Sequence, residues 1–451
     1  VGKFFLPIFI EKKIYTIPEF VEARYSTNLK TILAIFWIAL FIFVNLTSVL
    51  FLGAKALDTI LGSGNGDLII YGILGLALFA AAYSLWGGLS AVAWTDVIQV
   101  ILLVSGGIVT TVIALNRVTP DGGMVAGLKH IFNHAGDHFH MILDQNHKSY
   151  NDLPGIAVLV GGLWVANLYY WGFNQYIIQR TFAAKSLKES QRGIAFAAFL
   201  KLIIPLIVVI PGIVAYILFT QPEGTAIIPG VKEAFTTAEG INYDKAYPWL
   251  ISQFVPVGLK GLVLAALAAA IVSSLASMLN STSTIFTMDI YKPYLTKNPS
   301  NKQLVKVGRI SVLVSLIIAC LVAPLLGSIK EMFQYIQEYT GLVSPGILAV
   351  FLMGLFYKKS TNSAAIWGVI SSLIVALLLK IATTMPWMHQ MMITCILTIF
   401  IIAAISWLEN RGKADEKGIK ISRKLFETHI AFNISAVIIC LILIVLYSVF
   451  W

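Results

Sequence analysis

GLVLAALAAAIVSSLASMLNSTSTIF, residues 261–286, runs for 26 positions without a charged side chain. A helix crosses the hydrocarbon core of a bilayer with roughly 20 mostly apolar residues. Leucine, isoleucine and alanine dominate the run, which argues helix; barrel strands would be about ten residues long and would alternate in polarity. Outward from this stretch the chain repeats the pattern. Eleven spans are predicted, at about 30–53, 69–86, 91–115, 153–173, 193–219, 258–288, 306–326, 330–356, 363–382, 389–408 and 429–450.

The composition agrees. The 451 residues are 58% hydrophobic and only 12% charged, about half the charge of an ordinary soluble domain. Mean hydropathy is +0.83. The 32 basic and 22 acidic residues are clumped between the apolar runs. This excludes a soluble enzyme, a disordered chain and a nucleic-acid binder, despite the formal charge of +10. The fold class is all-α integral membrane. Cys320, Cys395 and Cys440 all fall inside spans and read as small apolar packing residues. Residues 4–10, FFLPIFI, read as the last two turns of a helix whose start precedes Val1, so the chain is expected to enter midway through a span.

Alternating the loops places 21 of the 32 basic residues on one side, including Lys12, Arg24, Arg180, Lys358, Lys417 and Lys420. Nine lie on the other, among them Lys55, Lys245 and Lys330. Cytoplasmic loops collect Lys and Arg, so the 11–30 segment is expected inside the cell membrane and the C-terminus outside. The loop at 117–152 carries His130, His134, His138 and His140. The four-residue spacing of the first two would place both imidazoles on one helical face, yet nothing else fixes a metal geometry, and the loop reads as solvated.

Polar groups at membrane depth are costly unless paired or facing water. Lys201 lies in AFLKLIIPLIVVIPGIVAY, about eight residues into its span and ahead of Pro205 and Pro211. That depth, about 12 Å of helix, is hard to escape by snorkelling, and a cavity-facing role is expected. In GGLWVANLYYWGFNQYIIQR, Asn167 and Tyr170 share a helical face, and Gly161–Gly162 weakens the helix just before them. Tyr169, Tyr170 and Trp171 read equally as an interfacial aromatic belt. Ser273 and Ser274, beside Ala270, are either packing hydroxyls bonded back to their own helix or oxygen donors for a hard monovalent cation. Phe333, Gln334 and Gln337 share one flank, a lining that suits a pyranose, whose hydroxyls meet amides and whose CH faces meet rings. Asp96 sits near the inner end of its span, as a surface carboxylate or a cation relay.

Taken together, these segments resemble the sodium:solute symporter family, most closely its bacterial sodium/galactose branch, over essentially the whole chain. Residues 83–91, YSLWGGLSA, match one family signature. A second is approximated from Gly354-Leu355-Phe356-Tyr357-Lys358-Lys359 through Gly368, with Ala364 where glycine is usual. The resemblance implies a LeuT-like inverted-repeat fold, truncated at the N-terminus to eleven full helices and a partial one. Residues 1–116 would be the end of that partial helix plus the last three helices of the first repeat, 117–152 an outer loop, 153–357 the second repeat, and 358–451 three peripheral helices.

The resemblance also implies roles. Asn167, Lys201 and Gln337 would bond sugar hydroxyls. Tyr170 would stack on the ring as inner gate, and Phe333 would close from the outer side. The carbonyl of Ala270 with the hydroxyls of Ser273 and Ser274 would form half of a sodium site, and Asp96 would line the sodium exit route. The absent first helix would supply the other sodium ligands. Sodium-coupled uptake of a monosaccharide of galactose or glucose type is the function so implied, with Na⁺ as co-transported ion, no organic cofactor and no enzymatic step. Alternatives are another solute (inositol, proline, sialic acid) or a sugar sensor without flux.

Overall fold

A computed structural model of the chain describes residues 1–14, 16–119, 122–222, 227–237, 240–329, 331–419 and 421–451, with all their side chains except those of 88–92. Lys330 and Lys420 of the charge pattern therefore lie outside the described residues, as do the side chains of the last four residues of YSLWGGLSA.

The chain opens with two short helices, α1 (Leu6–Glu11) and α2 (Ile17–Arg24). Thr16 starts α2 with a capping box, its hydroxyl accepting from Glu19 N–H. Next come α3 (Thr27–Leu61), α4 (Ile69–Arg117) and the loop helix α5 (Met124–His134). The following apolar run is broken into α6 (Ala157–Val160) and α7 (Gly162–Phe173), and α8 (Gln175–Phe182) continues from it. Then follow α9 (Leu187–Lys201), α10 (Ile204–Thr220), the short α11 (Val231–Phe235) and α12 (Ala246–Phe254). A two-residue hairpin pairs Thr236 with Ile241. The rest is long helices: α13 (Val257–Leu295), α14 (Asn301–Ser328), α15 (Met332–Phe356), α16 (Asn362–Ala382), α17 (Trp387–Asn410) and α18 (Ile430–Val449).

Ten helices among the described residues are long and apolar enough to cross a membrane. Eleven spans were expected. The difference lies at 153–173, where the apolar helical stretch Ala157–Phe173 is at the short end of the length a crossing needs and splits at Gly161, whose φ and ψ are −120° and −131°. The expected spans at 69–86 and 91–115 belong to the single helical run α4. It is not straight. On a straight helix Leu76 and Asp96 would stand about 30 Å apart, yet Leu76 packs with Ile271 over Gly53 while Asp96 bonds Ser273, two residues along the same helix. The two halves of α4 therefore fold back on one another, as two spans must.

Among the described residues, the largest of three core clusters joins α1, α2, α3, α4, α7, α8, α13, α14, α15, α16 and α17. At its centre Phe173 and Phe351 have ring centroids 4.6 Å apart, with Phe20 5.2 Å from Phe351 and Phe5 4.9 Å from Phe173. These rings lock the end of α7 against α15, which fixes two of the walls carrying the candidate site. The outer surface is greasy: Leu78, Phe79, Leu321 and Phe400 are exposed, and α18 has no buried residue. In water such faces would drive aggregation; in lipid they are solvated.

The two ends of the bundle sort as the charge pattern predicts. At one end Arg24 donates to the carbonyls of Gly354 (3.1 Å) and Ser360 (2.8 Å) and pairs with Asp415 at 3.2 Å, while Lys417 Nζ donates to Tyr25 O at 2.8 Å. At the other end Lys55 pairs with Asp244 at 3.2 Å. Met141 N–H donates to Phe450 O at 2.7 Å, so the C-terminus shares its end with the 117–152 loop.

Candidate functional site

Two helix interruptions create the site. The first is at Gly161–Gly162. A Cβ on Gly162 would lie 2.0 Å from the backbone oxygen of Met388, so only glycine lets α7 begin this close to α17. The second follows Lys201, where α9 ends and α10 begins at Ile204. Pro205 has no N–H to return to the Lys201 carbonyl, so the hydrogen-bond ladder fails there, and proline is tolerated because it falls in the first turn of the next helix. Lys201 thus occupies the C-terminus of α9, where the helix dipole favours a cation.

Lys201 and Asn167 meet across this gap. The ammonium donates to Asn167 Oδ1 at 3.1 Å and stands 5.1 Å from the centroid of the Trp171 ring. Asn167 Nδ2 is held by the Leu163 carbonyl at 2.9 Å. Each group keeps further capacity: the ammonium has other protons, and the amide has a second N–H and a second lone pair. Gln337, half-buried on α15, bonds neither of them among the described residues. α15 packs on α7, so the element is brought to the site while the amide is not engaged. Glu338 turns away to Lys380 at 3.1 Å. Gly341 and Pro345 do not interrupt α15. Phe333, at its start, is 70% exposed.

The second cluster lies on α13. Ser273 donates its hydroxyl to Asp96 Oδ1, and Ser274 donates to the Ala270 carbonyl at 3.0 Å. Ser274 thus bonds back to its own helix as a packing hydroxyl would, whereas Ser273 bonds across to α4. With each proton donated to a neighbour, both hydroxyl oxygens keep lone pairs. The donor set of hydroxyl, hydroxyl and carbonyl oxygen beside a carboxylate suits a hard monovalent ion.

Sequence reasoning missed Arg180. Its guanidinium donates twice to Asp96 Oδ2, at 3.0 Å from Nε and 2.6 Å from a terminal nitrogen, and also to Ser277 Oγ at 2.6 Å and Tyr176 O at 3.0 Å. Asp96 is thus shared between α8 and α13. Arg180 had been counted only as an inner-loop charge; the available signal was its four-residue spacing from Tyr176 on α8. The Tyr176 hydroxyl in turn donates to the Tyr170 hydroxyl at 3.0 Å. Tyr170, half-buried, is therefore connected through Tyr176 and Arg180 to Asp96 and the serines. His130 and His134 stack, with ring centroids 4.0 Å apart, in α5. Among the described residues they join no group of three or more metal-binding side chains.

A sequence model described as "Sodium:solute symporter family" matches residues 1–372. The chain belongs to the sodium:solute symporter family. It is 60% identical to a protein named Sodium/glucose cotransporter from Vibrio parahaemolyticus, over all of this chain and 82% of that one. It is 34% identical to human Sodium/myo-inositol cotransporter 2, over 83% of this chain and 56% of the relative. Its fold matches the structure of a Na⁺-coupled sialic acid symporter in a substrate-bound outward-open state, with a TM-score of 0.75 and 25% identity over 90% of this chain and 80% of that one. The fold of this family member is thus the multi-pass, LeuT-like inverted-repeat architecture that the resemblance implied, with ten membrane-length helices among the described residues where eleven spans were expected.

Proposed function

We propose that this symporter-family chain carries a monosaccharide across the cell's inner membrane together with sodium, by alternating access. The observation that carries the reading is two polar clusters within the apolar helices: Asn167 with Lys201, and Ser273 and Ser274 with Asp96 and Ala270. Asn167, Lys201 and Gln337 bond the sugar, Tyr170 gates from inside and Phe333 from outside. The oxygens of Ala270, Ser273 and Ser274 hold the ion. Asp96, tethered by Arg180, receives sodium on its way to the cytoplasm. Coupling requires both ligands to favour the same states, so each raises the other's affinity. The driving force is about 2.3 kcal/mol per charge per 100 mV, added to the sodium gradient. No covalent bond changes.

A neutral solute is the reading favoured here. Arg180 is committed to Asp96 and Ser277 and does not offer a carboxylate solute a guanidinium. A neutral polyol suits the donors and acceptors that Lys201 and Asn167 retain. Residues 153–357 are the second repeat, and 358–451 the peripheral helices. The basic-residue asymmetry supports a C-terminus on the outer side, and a tag placed there should be cleaved by protease added to sealed spheroplasts.

The test is uptake of labelled galactose into proteoliposomes of the intact protein with and without a sodium gradient, with inositol and sialic acid as competitors. Uptake indifferent to sodium would end the symport reading. Competition by sialic acid stronger than by unlabelled galactose would end the sugar assignment.

A further inference from the structure

The N-terminus of α15 is capped from a distance. Its own N-cap residue, Glu331, makes no side-chain cap bond. The Met332 N–H instead donates to the carboxylate of Asp244, at 3.2 Å to Oδ1 and 3.3 Å to Oδ2. Asp244 lies 88 residues upstream in sequence, in the 3₁₀ turn Tyr243–Lys245 that leads into α12. Its Oδ2 also accepts from Lys55 Nζ on α3 at 3.2 Å. Both side chains are nearly sealed, at 7% and 9% exposed, and the Lys55 ammonium stands 5.5 Å from the Phe51 ring centroid.

The consequence is mechanical. Helix N-termini leave unpaired N–H groups and a partial positive charge, so a carboxylate there is a cap and a favourable charge at once. Here that carboxylate belongs to a loop pinned to α3. Met332 is fully buried, and the next residue, Phe333, is 70% exposed. The cap therefore sits one residue from the aromatic ring assigned to the outer gate. A helix end held by an external carboxylate moves only if that bond is broken or carried with it.

We propose that Asp244 is a positioning residue for the outer gate: from a loop anchored on Lys55, it caps α15 at Met332 and so fixes where the Phe333 ring stands. This rests on the reading of Phe333 as outer gate. In this role Asp244 acts through the α15 backbone at Met332.

Two double variants of the intact protein separate positioning from mere relief of a buried charge. Asp244→Asn with Lys55→Met removes both charges but keeps an amide oxygen for Met332 N–H. Asp244→Ala with Lys55→Met removes both charges and the cap. Galactose uptake at saturating sodium should give the first pair a KM within about twofold of the parent. The second should raise KM about three- to tenfold, the worth of one cap, with maximal rate per reconstituted protein little changed. Equal KM values for the two pairs would overturn the proposal. A second readout is Phe333→Cys in a background where Cys320, Cys395 and Cys440 are alanine, labelled by a membrane-impermeant thiol reagent without solute. Loss of the cap should change the labelling rate at least threefold, and an unchanged rate overturns the proposal. If the parent's uptake ignored sodium, the symport reading would fall while the labelling rates still decided the role of Asp244.

Discussion

The Lys201 ammonium and the Asn167 amide oxygen lie 3.1 Å apart across two helix interruptions, one made by glycine and the other by proline. Neither residue has a charged partner among the described residues, so the pair is held by a single charge-assisted bond and a ring face. That leaves both groups with unused hydrogen-bonding capacity in a region where lipid offers none.

Lys201→Ala should cut galactose uptake about tenfold or more, since hydrogen bonds to charged groups are worth about 1.5–3 kcal/mol. The loss should fall on KM for sugar more than on sodium activation. Initial-rate measurements across both concentrations check this, and an unchanged sugar KM would separate Lys201 from the solute.

Ser274→Ala should shift half-maximal sodium activation about tenfold higher while leaving folding intact, because among the described residues its hydroxyl bonds only its own helix at Ala270. Ser273→Ala should do the same and also free Asp96 Oδ1. Sodium titration of uptake measures both. A normal sodium requirement in both variants would remove the serines from the ion path.

Arg24→Ala should destabilise the protein by roughly 3 kcal/mol, in the range for removing one partner of a buried pair. Arg24 is 2% exposed and serves the carbonyls of Gly354 and Ser360 as well as Asp415, so its loss orphans the C-terminal end of α15. Thermal unfolding in detergent should show a melting temperature lower by several degrees.

Glu22 gives a pH dependence. Burial pushes its carboxyl up, but hydrogen bonds from Lys30 (2.6 Å) and Thr27 (2.8 Å), with the charges of Lys30 and Lys417, outweigh that and hold it below its ordinary value. A lowered folded value means stability present above the unfolded value and lost as pH falls through the folded one. Glu22→Gln should therefore lower the melting temperature at neutral pH. The gap to the parent should close below about pH 4. A gap that persists in acid would assign the effect to packing.

How much was legible in sequence varies along the chain. The run at 261–286 announced itself by 26 uncharged positions, and Gly161–Gly162 marked one interruption at the site; the break after Lys201 was not expected, since 193–219 reads as one span. The break at Gly161 was expected as a weakening, but not as a full split of the helix into two pieces. Ser273, Ser274 and Asp96 were singled out separately on α13 and α4. Their meeting, and the Arg180 that joins them, were not legible, because an ion pair between residues 84 apart leaves no periodic trace.

Hydrophobic run length, charge clumping and the bias of Lys and Arg between loops are properties of the chain as a string, and they determined that it crosses a bilayer many times and which loops share an end. A bilayer imposes these rules residue by residue, so they can be read without folding anything. Which polar groups pair at depth, that Lys201 finds Asn167, that Arg180 takes Asp96, and that Asp244 caps a helix 88 residues away, was decided only in three dimensions. Those bonds depend on helix rotation and crossing, which are set by the packing of rings such as Phe173 against Phe351 and not by any local preference of the residues that bond.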